Sequence, residues 1–83
     1  MLWNSPNPFH ASTTVMYQLS EAGGVFLAVY DSRGKMVEVL ENSLMQKGIF
    51  SITWNAADLP SGNYFFKLIA GEKRDLEKCV ILK

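Results

Sequence analysis

His10 is the only histidine of the chain, and it is the first side chain to consider as a catalytic group. A histidine base acts on a nucleophile or a metal, and serines and aspartates that could complete a Ser-His-Asp arrangement are present. Neither a nucleophile-elbow motif nor a metal-ligand spacing accompanies them. We therefore interpret His10 as a loop or strand-end histidine without a catalytic role.

Cys79 is the only cysteine, and a single thiol can form neither an internal disulfide nor a metal site of several thiolates. A reactive thiol needs an electropositive and partly exposed site. Arg74 and Lys78 lie near Cys79 in sequence, but the run around it is apolar. This context favours a small, buried hydrophobic side chain.

Carboxylates are the third candidate group. Asp31, Asp58 and Asp75 lie at different turns, without the density of oxygen ligands that a calcium loop needs. Asp31–Gly34 suits a type I turn followed by a left-handed glycine. We therefore predict turn-forming aspartates, with no metal and no cofactor.

Aromatic side chains could form a platform for a carbohydrate or a peptide. Trp54, Tyr64 and Phe66 fall on alternating apolar faces, which favours a place in the core. Phe65 points the other way, so we expect it to be exposed or to lie on a second covered face.

Composition predicts one domain spanning residues 1–83. Apolar residues make up 48% and charged residues 19%, as in globular proteins. Eight Lys and Arg residues balance eight Asp and Glu residues, which argues against a nucleic-acid partner. No apolar run reaches the ~20 residues of a membrane helix, and no signal peptide opens the chain. The domain is therefore either cytosolic or part of a longer exported protein.

Apolar residues alternate with period two along most of the chain, which indicates half-buried strands. The shared faces are Val15, Tyr17 and Leu19; Val25, Leu27 and Val29; Phe50, Ile52 and Trp54; and Tyr64, Phe66 and Leu68. Glycine, proline and aspartate separate these runs at a spacing of roughly 8–12 residues, which is typical of an all-β sandwich or barrel.

Four segments are less regular. Met36–Leu40 predicts a shorter strand, and Ala56–Leu59 is the only helical candidate, with one turn at most. Asn4–Phe9 contains two prolines and predicts an edge strand or an extended lead-in. Leu76–Leu82 is apolar on both faces, so its register stays open, and we expect this strand to run to the last residue, Lys83.

Motifs spread over nearly the whole chain resemble one known family. In order they are Asn7-Pro8-Phe9, Ser12-Thr13-Thr14, Tyr17-Gln18-Leu19, Val29-Tyr30-Asp31 with Gly34-Lys35, Trp54-Asn55, Leu59-Pro60-Ser61-Gly62-Asn63-Tyr64-Phe65, and Lys78 to Lys83. Their order and spacing are similar to those of the type A C-terminal sorting domain, found in cargo proteins of the type IX (Por) secretion system of Bacteroidetes. His10 and Ala11 stand where that family often has Asn-Pro.

The resemblance implies an Ig-like β-sandwich of about seven antiparallel strands. Such domains end larger secreted proteins and have neither enzymatic activity nor a cofactor. They direct the upstream cargo from the periplasm through an outer-membrane translocon, without inserting into the membrane. A sortase-like surface protease then removes the domain, and the cargo stays on the cell surface or is released.

The resemblance also implies which residues the secretion machinery recognises. They are Gly62 and Tyr64 of the Gly-x-Tyr turn, and Lys78, Val80, Ile81, Leu82 and Lys83 of the lysine-flanked terminal strand. The glycine permits a positive φ, and the tyrosine joins an apolar body to a hydroxyl that can hold a corner. A terminal strand offers backbone groups and a carboxylate for strand addition or carboxylate capture. We expect the side chain of Lys83 to be solvated.

The alternative is a structural Ig-like module. Such modules occur in the flagellar hook-capping protein and as adhesion or spacer domains of bacterial hydrolases. The hook-capping version usually has a longer Asp/Gly-rich insertion before its Ser-Gly-x-Tyr sequence. The short Asn55–Pro60 segment here favours sorting.

Overall fold

The computed structural model comprises all 83 residues and contains seven β-strands and no helix. In chain order the strands are β1 (Leu2–Ser5), β2 (Ser12–Leu19), β3 (Gly23–Asp31), β4 (Met36–Met45), β5 (Gly48–Asn55), β6 (Gly62–Ala70) and β7 (Lys73–Ile81). All of them pair antiparallel, in a three-stranded sheet of order β1-β2-β5 and a four-stranded sheet of order β4-β3-β6-β7. The two sheets pack face to face, which confirms the predicted Ig-like β-sandwich.

The core lies between the two sheets, and the predicted inward faces supply most of it. These buried residues are Val15, Tyr17 and Leu19 of β2, Val25, Leu27 and Val29 of β3, and Tyr64, Phe66 and Leu68 of β6. Phe50 and Ile52 of β5 are only half-buried, because β5 is an edge strand of its sheet.

Trp54 of β5 is the largest fully buried side chain, with 1% of its surface exposed. Its ring makes edge-to-face contacts with Phe9, Tyr64 and Phe66 at centroid distances of 5.8, 6.0 and 5.4 Å. Its indole Nε1–H donates to Glu38 Oε1 at 3.1 Å. A buried indole N–H needs such an acceptor. Trp54 thus connects the three-stranded sheet to β6 and β4 of the other sheet.

Two segments differ from the sequence prediction. The strand predicted over Met36–Leu40 runs on to Met45, because its backbone continues to pair with β3 beyond the last periodic apolar residue. Ala56–Leu59 forms a turn and no helix, closed by the Leu59 N–H that donates to the Ala56 carbonyl at 3.0 Å.

The segment Asn4–Phe9 divides into two parts. Its first residues belong to the edge strand β1, which pairs with β2. Pro6 and Pro8, each preceded by a cis peptide bond, then take the chain away from that sheet. Phe9 lies against the other sheet, where it forms a parallel bridge with Ile81.

The register of β7, left open by the sequence, places alternate residues on opposite faces. Cys79 and Ile81 are fully buried in the core, whereas Leu76 is 64% exposed on the other face. The strand ends at Ile81 and not at Lys83, so the expectation that it continues to the last residue is wrong. Beyond Ile81 the chain pairs with residues outside β6, as the next subsection describes.

Replacing Trp54 by alanine is expected to reduce the free energy of unfolding by about 3–5 kcal/mol, because it leaves a large cavity at the contact between the sheets. Urea denaturation followed by circular dichroism measures this loss. Trp3→Ala is the matched control, since Trp3 is only half-buried on the edge strand β1, and its loss should be clearly smaller. Equal losses for the two variants would contradict the central place of Trp54.

Candidate functional site

The residues predicted for recognition come together at one end of the four-stranded sheet. In the register of β6 and β7, Gly62 lies opposite Ile81 and Tyr64 lies opposite Cys79. The backbone N–H of Lys83 donates to Ser61 Oγ at 3.1 Å, which brings the last residue beside the turn that opens β6. The Gly-x-Tyr turn and the terminal segment are therefore one structural unit.

The Gly-x-Tyr turn owes its geometry to both of its named residues. Gly62 has a φ of 153°, and no atom lies within 4 Å of the place a Cβ would occupy, so backbone conformation and not space selects glycine. The Tyr64 hydroxyl donates to the Pro60 carbonyl at 2.9 Å. Burial raises the pKa of Tyr64, and the charge of Asp31 adds to that rise. Tyr64 is 5% exposed, so it holds the turn and presents almost no surface.

Because side chains alternate along β7, the residues predicted for recognition in the terminal segment lie on two different faces of the sheet. Ile81 points into the core, whereas Lys78 and Val80 point to the outer face of the sheet. Leu82, beyond the strand, is 48% exposed. The surface of this end therefore consists of Lys78, Val80, Leu82 and Lys83, together with the exposed backbone of Gly62.

Residues Asn7–Phe9, which we call the clasp, occupy the outward edge of the end of β7. Asn7 Nδ2 donates to the Lys78 carbonyl and Asn7 Oδ1 accepts from the Val80 N–H, both at 3.0 Å. The Phe9 N–H donates to the Val80 carbonyl at 3.0 Å, and the Phe9 carbonyl accepts from the Leu82 N–H at 2.9 Å. These four hydrogen bonds occupy the outward backbone groups from the Lys78 carbonyl to the Leu82 N–H. The expectation that the terminal strand offers them for strand addition is therefore wrong for this stretch.

The last residues have further polar partners. Lys83 Nζ donates to the Ala57 carbonyl at 2.6 Å and lies 3.4 Å from the Ala56 carbonyl. The His10 ring donates from Nδ1 to the Leu82 carbonyl at 2.6 Å. The side chain of Lys83 is exposed, as predicted. The prediction that it is solvated is wrong in part, because carbonyls of the Ala56–Leu59 turn point toward its ammonium group. His10 lies in a loop, as predicted, where it binds backbone.

Cys79 is the small, buried hydrophobic side chain that the sequence predicted, with none of its surface exposed. Burial raises the pKa of its thiol to about 12, and the nearby charge of Glu77 contributes to the same direction. The nucleophilic form of cysteine is the thiolate. Cys79 therefore remains a neutral packing residue at physiological pH.

The three aspartates predicted at turns occupy different elements. Asp58 lies in the Ala56–Leu59 turn, as predicted, whereas Asp75 lies within β7, so the prediction of a turn residue is wrong for Asp75. Asp31 accepts from the backbone N–H groups of Arg33 and Lys35, each at 2.9 Å, and these bonds, the one from Lys35 above all, lower the pKa of its carboxyl. Gly34 closes this turn with a φ of 85°, so the predicted turn-forming aspartate with a left-handed glycine is confirmed. No three His, Cys, Asp or Glu side chains come together to hold a metal ion. Since all of its regular elements are strands, the structure has no membrane-spanning helix.

A comparison with protein families identifies a family whose model covers most of the chain. The model of a secretion system C-terminal sorting domain matches residues 5–82, a range that contains the clasp, the Gly-x-Tyr turn and nearly all of the terminal segment. None of the curated proteins matches the chain.

Asn7→Ala is expected to lower the free energy of unfolding by about 1 kcal/mol, because the Lys78 carbonyl and the Val80 N–H both exchange a protein partner for water. Amide hydrogen exchange of Val80 should accelerate at the same time. Asn63→Ala is the matched control, since Asn63 is an exposed asparagine opposite Val80 on the paired side of β7. Unchanged exchange at Val80 in Asn7→Ala would show that the clasp does not protect the strand.

Stability is expected to fall as the pH rises from about 9 toward 12. Below pH 9 the Cys79 thiol is protonated in both states, whereas above it the thiol ionises only in the unfolded chain, since its folded pKa is about 12 against an ordinary 9.0. Tyr17 and Tyr64, whose pKa values are also raised, add to this trend. Denaturant midpoints measured across this range should decline less steeply for Cys79→Ala. Parallel curves for the two proteins would contradict a buried, protonated thiol.

Proposed function

Because the chain belongs to the family of secretion system C-terminal sorting domains, we propose that it is the non-catalytic, C-terminal signal domain of a larger exported protein. The family is that of the type IX secretion signal, whose cargo is secreted or displayed on the cell surface. The match over residues 5–82 carries this proposal. In the proposed route the outer-membrane translocon takes the upstream cargo out of the periplasm, and a sortase-like surface protease then cleaves the domain off.

The recognised surface in this proposal is the end of the four-stranded sheet. Lys78, Val80, Leu82 and Lys83 would contact the secretion machinery, together with the backbone at Gly62. Tyr64 and Ile81 are buried, so they would act by positioning this surface. This division follows from the geometry, because a side chain without exposed surface has nothing to offer a partner while the domain is folded.

Preorganisation supports a role for this end of the molecule. The clasp fixes the backbone from Lys78 to Leu82, and Ser61, Ala57 and His10 bind the two residues that follow β7. A segment that is already ordered loses little conformational entropy when it binds. The terminal residues therefore form a ready surface, in contrast to the fraying that is usual at a chain end.

A reporter fusion tests the proposal. Residues 1–83 are placed behind a signal peptide and a fluorescent protein in a host with the type IX machinery. We expect the fluorescence to reach the cell surface or the medium, and to remain inside a strain without the translocon. Periplasmic retention of a folded fusion would contradict a sorting role and would favour the structural Ig-like alternative.

Variants of Lys83 separate recognition from folding. Lys83→Met removes the donor to the Ala57 carbonyl, so it should change the free energy of unfolding by about 1 kcal/mol or less, yet lower export several-fold. Lys83→Arg keeps the charge and should retain most of the export. The matched control is Lys47→Met, at an exposed lysine between β4 and β5. Full export of Lys83→Met with native stability would remove Lys83 from the recognised surface.

A further inference from the structure

The outer face of the four-stranded sheet is apolar where an antiparallel sheet normally turns polar residues to water. The register pairs Phe26 with Ile69 and Tyr30 with Phe65 across β3 and β6, all on the face that points away from the core. Leu76 of β7 continues the face and is 64% exposed. These five outward positions therefore carry large hydrophobic or aromatic side chains, where an ordinary two-layer sandwich would have polar ones.

The same face extends onto β4. Its residues Met36, Val39 and Leu44 lie opposite outward positions of β3 and are 45%, 43% and 86% exposed. Together with Leu76 they account for four of the seven most exposed large apolar side chains in the molecule. Apolar residues scattered singly on a surface are ordinary, but a contiguous patch marks an interaction site.

Three cations accompany these apolar side chains. Lys67, Arg74 and Lys78 lie at outward positions of β6 and β7, and Lys67 Nζ lies 5.9 Å from the centre of the Tyr30 ring. A depression of about 340 Å³ opens beside Lys67 and Leu76. Asp31 also lines it, but its carboxylate is occupied by the turn that it caps.

The carboxylates of the same strands lie on the opposite, core-facing side. They are Glu38 and Glu41 of β4 and Asp75 and Glu77 of β7, each opposite an inward position of the neighbouring strand. Glu38 accepts the Trp54 indole N–H, and Asp75 lies 3.4 Å from the terminal amino group. A chain with no net charge thus carries a sheet face with three cations, on which the only carboxylate is Asp31 at the end of β3, already bound by its own turn.

One border of this face is an open strand edge. Both backbone groups of Val80 point to the clasp, so alternation directs those of Arg74 and Leu76 to the same side of β7. No backbone group pairs with them there, since β7 pairs only with β6 and the clasp stops at the Lys78 carbonyl. Unpaired edge groups accept an added strand.

We propose that the outer face of the four-stranded sheet, together with the open edge at Arg74 and Leu76, docks a protein partner that carries carboxylates among apolar side chains on an extended strand. The partner's carboxylates would meet Lys67, Arg74 and Lys78, and its backbone would continue the sheet beyond β7. That the partner is a component of the secretion machinery rests on the proposed function.

The charge and the edge distinguish this partner from two others. A second copy would place the same three cations against one another, and like charges brought together at an interface are unfavourable. An anionic membrane would satisfy the cations but has no strand to pair with the backbone groups of β7. A protein with an acidic, apolar strand satisfies both features.

The cellular test compares two nearly equal substitutions in the reporter fusion. Leu76→Glu places a carboxylate on the proposed surface, whereas Ile49→Glu does so at a residue of similar exposure, 67%, on β5 of the other sheet. We expect Leu76→Glu to lower export about tenfold and Ile49→Glu to leave it near the wild-type level, with equal melting temperatures. Leu76→Arg should export better than Leu76→Glu, because its charge matches an acidic partner.

Equal export of Leu76→Glu and Ile49→Glu would overturn the docking surface while leaving the sorting role intact. Failure of the unmutated fusion to leave the cell would instead contradict the proposed function. In that case the docking surface is tested by peptide binding to the purified domain, because this measurement does not require the secretion machinery.

The test on the purified domain uses a peptide that alternates valine and glutamate. We expect it to shift the amide resonances of Arg74 and Leu76 in nuclear magnetic resonance titrations, and the peptide that alternates valine and lysine to leave them unchanged. Equal shifts with both peptides, or none, would overturn the proposed chemistry. Dimerisation that Leu76→Glu abolishes would assign the face to a second copy, and binding to vesicles of anionic phospholipid would assign it to a membrane; either result overturns the proposal.

Discussion

The burial of Trp54 between the two sheets is the constraint on which the rest of the structure depends. A three-stranded and a four-stranded sheet are each stable only when an apolar face is covered, and this indole meets Phe9, Tyr64 and Phe66 at once. Two of these neighbours also hold the end of the molecule that we propose is recognised. Tyr64 binds the turn before β6 through its hydroxyl, and Phe9 binds the end of β7 through its backbone. The surface at the end of the sheet is therefore positioned from the core, not from the loops around it.

Alternation made most strands predictable, because each of β2, β3 and β6 has one face in the core. The same rule could not determine which residues of β7 face the core, because its outward residues Leu76 and Val80 are as apolar as its inward ones. That ambiguity has a physical cause, since both faces of β7 carry apolar side chains for different reasons: one packs in the core and the other lies on the cationic outer face. The full length of β4 was also missed, because pairing with β3 extends it through residues without apolar periodicity.

The candidate site was predictable by residue type and not by contact. A glycine two positions before a tyrosine indicates a positive φ and a hydroxyl that holds a corner, and Gly62 and Tyr64 have these roles. No local pattern, however, shows that the amide of Asn7 binds the backbone of Lys78 and Val80, because those residues lie 71 and 73 positions away. The contacts of Lys83 were missed for the same reason, since they depend on where a distant turn directs its carbonyls. Local sequence patterns therefore identify the residues of such a site but not the contacts between residues that are distant in sequence.

The large sequence separation between Asn7 and its partners determines when the clasp can form during synthesis and folding. Within the domain, ribosomes make Asn7 long before Val80, so the bonds between them can form only when almost every residue of the domain exists. Closing so long a stretch of chain is among the slower and entropically costlier steps of folding. A polypeptide broken off before Lys78 leaves Asn7 without these partners and β6 with an uncovered edge. The clasp is therefore complete only in a domain that has been synthesised through Val80, and a domain truncated before Lys78 lacks it.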